Sequence, residues 1–338
     1  FASGAYFAGK KPVVMFQNSG LGNTVNPITS LVYPFRVPLL LLCTWRGQPG
    51  IQDEPQHELM GRISAQMLSL IGVENEILDA AGRHLEEALA RAFDYAERTS
   101  LPYGLILPKG VFEAWQMASP PQAKRRERAR VRTSQTCAAT ARRFDLIRIT
   151  CEVVGTEHVI VGTTGKTGRE LFAHRDSPNH VYMVGAMGCA SSFALGMAMH
   201  LPPEKKVIVL DGDGAALMRL EALASNGYYE PSNLVHVLLD NNMHESTGGQ
   251  QTLSHGIAFD HLAAACGYAD AVSVATATDF ENELRRALAS AGPSFIHARI
   301  LPGSLENLPR PTLRPDEVKK RLMSYLGIGE RRWLSPND

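Results

Sequence analysis

Two kinds of pattern alternate along the first third of the chain: short, continuously apolar runs, and longer stretches in which apolar residues recur every three or four positions. Continuous apolar runs are typical of parallel strands that are buried on both faces, and the longer spacing is typical of amphipathic helices. The predicted strands span 12–17, 37–44 and 103–107, and the predicted helical stretches span 26–33, 63–70 and 82–98. This pattern predicts a parallel sheet covered by helices.

The same alternation returns in the second half of the chain. The predicted strands span 157–162, 206–210, 235–239 and 294–300, and the predicted helical stretches span 181–199, 218–228 and 257–265. The two halves are alike in architecture, although no sequence repeat relates them. We therefore predict an α/β protein with two doubly wound parallel-sheet domains, at 1–119 and 151–338, joined by a linker region at 120–150.

The linker prediction rests on a change of composition. Residues 120–132 read PPQAKRRERARVR, with six basic residues and one acidic residue between Lys124 and Arg132. Charge runs between domains are usually solvated, which favours a linker. A patch that binds nucleic acid or another anion is the functional alternative.

The overall composition excludes several classes of protein. Lys+Arg and Asp+Glu are equal at 34 each, which argues against a general nucleic-acid binder or a disordered acidic chain. The five cysteines form no CxxC motif, so neither a structural zinc site nor a disulfide framework is expected, and a reducing, cytoplasmic compartment fits best. The longest apolar stretch, 37–43, is interrupted by Pro38 and too short to span a bilayer, and no secretory signal pattern is visible. We expect neither a nucleic-acid nor a membrane partner.

The most informative motif is a pair of polar turns that follow two apolar strands. The sequence GDG occupies residues 212–214 after the strand VIVL, and Asp240 and Asn241 follow the strand VHVLL. A helix between parallel strands brings their carboxyl ends to one edge of the sheet, where such sheets bind cofactors. The Asp213 carboxylate and the Asn241 amide oxygen are ligands of the kind that Mg²⁺ prefers, with diphosphate oxygens and water completing its coordination. Taken alone, GDG is also compatible with a simple strand-to-helix turn.

A second glycine-rich segment, GTTGKTG at residues 162–168, invites comparison with a phosphate-binding P-loop. The P-loop spacing is G-x-x-x-x-G-K-[ST], and counting back from Gly165 places the first glycine where Ile160 stands. The spacing therefore argues against a nucleotide triphosphate site.

Together, these motifs resemble the cofactor-binding sequence of thiamine diphosphate-dependent enzymes. The resemblance implies that Asp213, Asn241 and the backbone carbonyl of Met243 bind Mg²⁺. The residues implied to bind the cofactor itself are Gly214 and Ala215 at the diphosphate, Gly212 of the same motif, Thr164, Gly165 and Gly185 at the pyrimidine, and Met187 between the two rings. The alternative for Met187 is plain core packing.

Three longer segments resemble one branch of this family, the decarboxylases that act on phosphonopyruvate and sulfopyruvate. They are MFQNSGLGNTVNPITSLVYPF at 15–35, CTWRGQPGIQDEPQHELMG at 43–61 and HESTGGQ at 244–250. The resemblance implies non-oxidative decarboxylation of phosphonopyruvate to phosphonoacetaldehyde and CO₂, in phosphonate biosynthesis. Decarboxylation of sulfopyruvate is the nearest alternative, and a non-enzymatic α/β nucleotide-binding protein is the alternative of another class.

The same branch suggests residues for an anionic 2-keto acid. His57 in DEPQH is the favoured catalytic histidine. The candidates for binding the substrate are charged or hydroxyl residues in loops after predicted strands, namely Arg46, Lys109, Ser246 and Thr247. The alternative for each of them is an ordinary surface residue.

Two further expectations follow from the resemblance. Family members activate the cofactor with a glutamate of the first domain, which we expect upstream of Phe1, together with other residues of that domain. The cofactor is held between the first domain of one subunit and the second domain of another. We therefore expect a homodimer or a higher homo-oligomer, with active sites at the subunit interface.

Overall fold

The computed structural model describes residues 1–79, 81–116, 130–133 and 138–329. Among these, residues 9–116 form one compact unit, and residues 130–329 form a second, together with the segment Ser3–Ala8. Most of the basic run that predicted the linker, residues 120–129, lies outside the described residues.

The first unit is built on a parallel sheet whose described strands lie in the order β1-β2-β4-β3. Its elements follow the N-terminal helix α1 (Ala2–Phe7). They are β1 (Val13–Gln17), α2 (Leu21–Pro27), which continues as a π-helical turn (Ile28–Val32), β2 (Leu40–Thr44), α3 (Glu58–Leu70), β3 (Glu74–Ile77), α4 (Leu85–Thr99) and β4 (Tyr103–Leu107). Helix α4 shows why the spacing predicted a helix: Ala88, Ala92 and Ala96 form a buried stripe in the same apolar cluster as Leu105 of the sheet.

The second unit is a larger parallel sheet, with the described strands in the order β5-β12-β13-β9-β8-β6-β7. Its strands are β5 (Arg130–Thr133), β6 (Val159–Gly162), β7 (His180–Tyr182), β8 (Val207–Gly212), β9 (Leu234–Asp240), β12 (Asp270–Val274) and β13 (Ser294–Arg299), and β10 (Met243–His244) and β11 (Gln250–Gln251) form a separate small ribbon. Its helices are α5 (Arg143–Val154), α6 (Lys166–His174), α7 (Ala190–Ala198), α8 (Asp213–Met218), α9 (Ala222–Tyr229), α10 (Phe259–Cys266), α11 (Ala277–Ala289) and α12 (Pro315–Tyr325). The two parallel sheets with their helices confirm the predicted fold class.

The order of the strands positions the functional site. From β6 the chain passes to β7 on one side, and then returns to β8 on the other side and continues to β9. The strand order therefore reverses at β6, and the loops after β6, β8 and β9 diverge at the carboxyl edge of the sheet. Ligands bind at such a switch point in open α/β sheets.

The boundaries of the units differ from the predicted domains at two places. Strand β5 pairs with β12, and helix α5 begins at Arg143, so residues 130–133 and 143–150 belong to the second unit rather than to a linker. Arg132 explains why the composition misled: its guanidinium bonds Asp270 and Glu283, with Nη2–Oε2 2.7 Å to Glu283. The charge of this one residue of the basic run is therefore paired, at the edge of a sheet.

Helix α1 is the other difference, because residues 3–8 cluster with the second unit and not with residues 9–116. Its backbone lies directly against helix α7. A Cβ atom at Gly4 would lie 1.9 Å from the carbonyl oxygen of Phe193, and one at Gly196 would lie 2.1 Å from that of Phe1. Glycine at both positions permits this approach.

No helix in the described part of the chain is long and apolar enough to cross a membrane.

Candidate active site

A cavity of about 470 Å³ lies in the second unit, at the carboxyl ends of β6, β8 and β9. It brings together residues that are far apart in the sequence. The predicted site residues that line it are Thr164, Gly165, Met187, Gly212, Asp213, Gly214, Ala215, Asn241, Met243, Ser246 and Thr247. Gly185, which was also predicted, stands two residues before Met187 in the loop after β7 and is not one of the lining residues described.

Asp213 and Asn241 meet because β8 and β9 are neighbours in the sheet. Gly212 of β8 lies opposite Leu239 of β9, so the residues that follow the two strands lie side by side. Both side chains are buried and both line the cavity. The Asn241 amide oxygen accepts a hydrogen bond from the backbone N–H of Met243 at 3.1 Å. The arrangement places a carboxylate, an amide oxygen and the Met243 backbone at one wall of the cavity, which is a donor set that suits Mg²⁺.

The surroundings of Asp213 also suit a cation. Burial, with the nearby Asp240 carboxylate, raises the pKa of Asp213 even though Thr252 donates a hydrogen bond of 2.6 Å to it. Within the described ranges, no Lys, Arg or His forms an ion pair with Asp213, and no group of three or more His, Cys, Asp or Glu side chains gathers to hold a metal. A bound Mg²⁺ would supply the missing positive charge, with oxygens of a diphosphate completing the shell.

Two glycines allow neighbouring side chains to pack closely against the backbone of the cavity wall. A Cβ atom at Gly214 would lie 2.4 Å from Cε1 of His244, and one at Gly165, where φ is +90°, would lie 2.8 Å from Oγ of Ser246. Neither position accepts a larger side chain without movement of its neighbours. Gly212, which also lines the cavity, differs from them because a Cβ atom there would meet nothing within 4 Å, so its backbone can approach a ligand such as a diphosphate closely.

A buried hydrogen-bond network lies behind Asp213, and the sequence did not reveal it. Ser254 donates to Asp240 at 2.8 Å, lies 2.8 Å from Oγ1 of Thr252, and reaches Asp213 at 3.3 Å. Nε2 of His297 lies 2.9 Å from the other oxygen of Asp240. Burial alone would raise the pKa of Asp240, but its contacts with His297 and Ser254 lower it overall. The network fixes the direction of the Asp213 carboxylate, which is the usual role of groups behind a metal ligand.

A buried ion cluster forms another wall of the cavity. Arg143, at the start of α5, bonds Glu170 at 2.9 Å and Glu245 at 2.7 Å. Glu245 stands between His244 and Ser246, and its carboxylate also accepts a hydrogen bond from the backbone N–H of Gly303. Burial would raise the pKa of Glu245, but these two donors lower it overall. The cluster anchors the loop that carries Ser246 and Thr247.

Two of the three candidate residues of the first unit, Arg46 and Lys109, line a different cavity, of about 450 Å³, at the carboxyl ends of β2 and β4. The guanidinium of Arg46, however, is bound by Asp53, with Nε–Oδ2 2.8 Å, and it holds the pKa of Asp53 well below its usual range. Its charge is therefore already compensated, which distinguishes it from the free anion-binding group that the sequence suggested.

His57 is buried and is not one of the residues described as lining that cavity. It ends a 3₁₀ turn (Pro55–His57) that leads into α3, and its Nδ1 is buried without a hydrogen-bond partner among the described residues. The loop before it is held by Asn18, whose amide donates to the backbone carbonyl of Arg46 at 2.8 Å and to Ser64 at 3.0 Å. Asn18 of the motif QNSG therefore has a structural role, which is to connect the loop after β2 with helix α3. The sequence alone did not indicate this role.

Met187 is half-buried and projects towards Gly214, since its Cε would lie 3.4 Å from a Cβ atom placed there. If it supports the cofactor, Met187→Ala should weaken thiamine diphosphate affinity and turnover by about 10-fold or more while removing little stability. Met197, fully buried in α7, is the matched control. Met197→Ala should cost about 2–5 kcal/mol of unfolding free energy and leave cofactor affinity unchanged. Calorimetric titration and urea unfolding measure both, and a core-like loss of stability with intact turnover in Met187→Ala would contradict the prediction.

Comparisons with known proteins agree with this geometry. Residues 161–298, which include the loops after β6, β8 and β9, match the family described as "Thiamine pyrophosphate enzyme, C-terminal TPP binding domain". The chain is 42% identical to the phosphonopyruvate decarboxylase of Streptomyces viridochromogenes, over 96% of this chain and 82% of that protein. It is 32% identical to the sulfopyruvate decarboxylase of Methanosarcina acetivorans, over 96% of this chain and 85% of that protein.

A solved structure gives the same answer for the fold. The crystal structure of benzoylformate decarboxylase from Polynucleobacter necessarius aligns with a TM-score of 0.68, covering 90% of each chain at 13% sequence identity. At this identity the likeness shows the fold alone.

Proposed function

The chain belongs to the phosphonopyruvate decarboxylase family of thiamine pyrophosphate enzymes, and from this premise we propose that its own reaction is the decarboxylation of phosphonopyruvate to phosphonoacetaldehyde and CO₂. The observation that carries the proposal is the convergence of Asp213 and Asn241 on one cavity, at the ends of neighbouring strands, beside Gly212, where a Cβ atom would meet nothing within 4 Å. Family membership removes the alternative of a non-enzymatic nucleotide-binding protein. A role in phosphonate biosynthesis is part of the proposal.

We assign the residues of the cavity as follows. Asp213 and Asn241, with the backbone carbonyl of Met243, would hold Mg²⁺. The residues assigned to the cofactor itself are Gly212, Gly214 and Ala215 at the diphosphate, Thr164, Gly165 and Gly185 at the pyrimidine, and Met187 between the rings. Thiamine diphosphate supplies the electron sink that decarboxylation requires. The protein binds, orients and desolvates the reacting groups.

The side chains proposed for the substrate lie in both units. Ser246 and Thr247 offer hydroxyl groups at the mouth of the cofactor cavity, where both are exposed. His57 is proposed as the catalytic histidine, and Lys109, with Arg46, as a contributor of positive charge. Because Arg46 is paired with Asp53, Lys109 is the stronger candidate of the two for an incoming anion.

We further propose that the protein is a homodimer or a higher homo-oligomer in which the first unit of one subunit completes the cofactor cavity of another. The proposal accounts for candidate residues that are divided between two cavities, one in each unit. A cytoplasmic location is also proposed. It is supported by Cys43, Cys151, Cys189 and Cys266, which are all free thiols.

One assay tests the substrate. Purified full-length protein is incubated with phosphonopyruvate or sulfopyruvate, with and without thiamine diphosphate and Mg²⁺, and CO₂ release is followed. The proposal requires turnover of phosphonopyruvate that depends on both the cofactor and the metal. Faster turnover of sulfopyruvate would favour the alternative, for which the 32% identical relative is the supporting observation. Absence of turnover with either substrate would contradict the proposed function.

His57→Ala should lower kcat/KM for phosphonopyruvate by about 10- to 100-fold, the range that follows from losing about 1.5–3 kcal/mol of a charge-assisted hydrogen bond. His84, an exposed histidine of the same unit, provides the control, and His84→Ala should match the wild type. Comparison with pyruvate, which lacks the anionic tail, separates two roles. A smaller loss with pyruvate assigns His57 to the tail, and an equal loss assigns it to the reacting centre. If neither substrate is affected, DEPQH is a structural loop.

A further inference from the structure

A second cavity of about 440 Å³ adjoins the cofactor cavity within the second unit. The two cavities share Thr164, Gly165, Lys166 and Ser246 in their walls. The two cavities therefore lie side by side at Ser246. We call it the basic cavity, because Lys166, Arg169 and Arg310 line it and none of its described lining residues is acidic.

In the described part of the chain, none of the three cations of the basic cavity forms a salt bridge. Nζ of Lys166 donates to the Ser304 hydroxyl at 2.8 Å, which is a neutral partner. Arg169 donates to the backbone carbonyls of Leu308 and Pro309, with Nε–O 3.0 Å to the latter. Glu245 interacts electrostatically with Lys166, and because Arg143 is shared between Glu245 and Glu170, Glu245 offsets part of the Lys166 charge. The remaining positive charge of the basic cavity comes from Arg169 and Arg310, and none of its described lining residues is acidic.

Arg310 differs from the other two cations. It is exposed, and within the described part of the chain no hydrogen bond or ion pair engages its guanidinium. Arg169 holds the two residues just before it, Leu308 and Pro309, so the backbone that presents Arg310 is fixed although its side chain is free. An unengaged guanidinium on a fixed backbone is suited to a bidentate contact with a tetrahedral oxyanion. The guanidinium of Arg46, in the first unit, is not available in this way because it is hydrogen-bonded to Asp53.

We propose that the basic cavity binds the anionic tail of the 2-keto acid, with Arg310 and Lys166 contacting the phosphonate or sulfonate oxygens. This inference rests on the proposed function and deepens it, since it names the residues that select a substrate with a charged tail. The carbonyl end of the substrate then lies on the cofactor side of Ser246. Arg169 is a positioning residue, which acts through the segment before Arg310.

The test uses Arg310→Ala and Arg310→Lys in the full chain, loaded with thiamine diphosphate and Mg²⁺. Arg310→Ala should raise KM for phosphonopyruvate about 10- to 100-fold, with a much smaller change in kcat, as expected when a charge-assisted contact to a bound anion is lost. The inhibition constant of methylphosphonate, a probe that carries only the tail, should rise by a similar factor. Arg310→Lys should restore part of both losses, because the charge remains but the bidentate geometry does not. Arg285→Ala, which removes an exposed arginine outside the cavity, should behave as the wild type.

Calorimetric titration of each variant with thiamine diphosphate separates the two anions that could occupy this space. The inference expects the affinity for the cofactor to be the same in Arg310→Ala as in the wild type. A fall in that affinity to match the rise in KM would assign the basic cavity to the cofactor diphosphate and overturn the inference. The inference would also be overturned if the KM and the methylphosphonate inhibition constant of Arg310→Ala lay within a factor of about two of the wild-type values. An inactive wild type refutes the proposed function instead, and methylphosphonate titration then still reports whether Arg310 binds the tail.

Discussion

Replacing Asp213 by alanine should abolish Mg²⁺-dependent binding of thiamine diphosphate and, with it, decarboxylase activity, while the protein remains folded. The physical reason is that Asp213 contributes a buried carboxylate at the meeting point of β8 and β9, and no cation among the described residues pairs with it. Losing one partner of a buried charge pair costs about 3–5 kcal/mol, or more than about 100-fold in affinity. Calorimetric titration with thiamine diphosphate, at fixed Mg²⁺ and then without it, measures the loss.

Asp260 is the control for Asp213, because it is also a buried aspartate of the second unit but lies in α10, away from the described lining of the cavity. Asp260→Ala should leave cofactor affinity unchanged, whatever it does to stability. Without ligand, Asp213→Ala should unfold in urea at a concentration similar to or higher than the wild type, since it removes a carboxylate whose ionised form is disfavoured by burial. Normal cofactor affinity in Asp213→Ala would rule out its assignment as a metal ligand.

The second large effect is expected at Arg143, whose replacement by methionine should lower the free energy of unfolding by about 3–5 kcal/mol. The side chains of Arg143 and Glu170 are 9% and 0% exposed, so the substitution leaves the carboxylates of Glu170 and Glu245 unpaired in a place that water barely reaches. Urea denaturation gives the loss directly. Because Glu245 precedes Ser246 and Thr247, release of its carboxylate should also raise KM for the substrate.

Two further variants make this prediction specific. Arg148→Ala, on the same helix, breaks an exposed pair with Glu152, in which the side chains are 51% and 56% exposed, and should cost about 0–1 kcal/mol. The triple variant Arg143→Met, Glu170→Gln and Glu245→Gln should regain much of the stability, since no charge is then left buried and unpaired. It should not regain the normal KM, because the neutral amide of residue 245 no longer anchors the loop. A single Arg143→Met variant as stable as the wild type would refute the account.

The sequence by itself determined the fold class, the family and the residue types of the candidate site. Continuous apolar runs are a local property of the chain, and burial on both faces of a parallel sheet is what requires them, so the pattern identified strands such as Tyr103–Leu107 directly. Strands β3 and β5 were not predicted, because neither contains a continuous apolar run. Strand β3 reads ENEI and lies at the edge of its sheet, where polar residues are tolerated, and β5 is basic. The pair of polar turns at Asp213 and Asn241 was readable because a polar residue directly after a buried strand must lie at the edge of the sheet.

Only the tertiary structure decided which side chains have partners. Arg143 pairs with Glu245 across 102 residues, Thr252 bonds Asp213 across 39, and the pairing of Arg132 with Glu283 spans 151. Sequence periodicity carries no information about such contacts, because they depend on strand order and on which helix covers which face. The same limit applies to Arg46 and Arg310: both are arginines in loops after strands, yet one is neutralised by Asp53 and the other has no carboxylate beside it in the described structure. The sequence gives the charge of a residue. Whether that charge is available to a ligand depends on the burial of the residue and on its neighbours in space, and only folding brings these neighbours together.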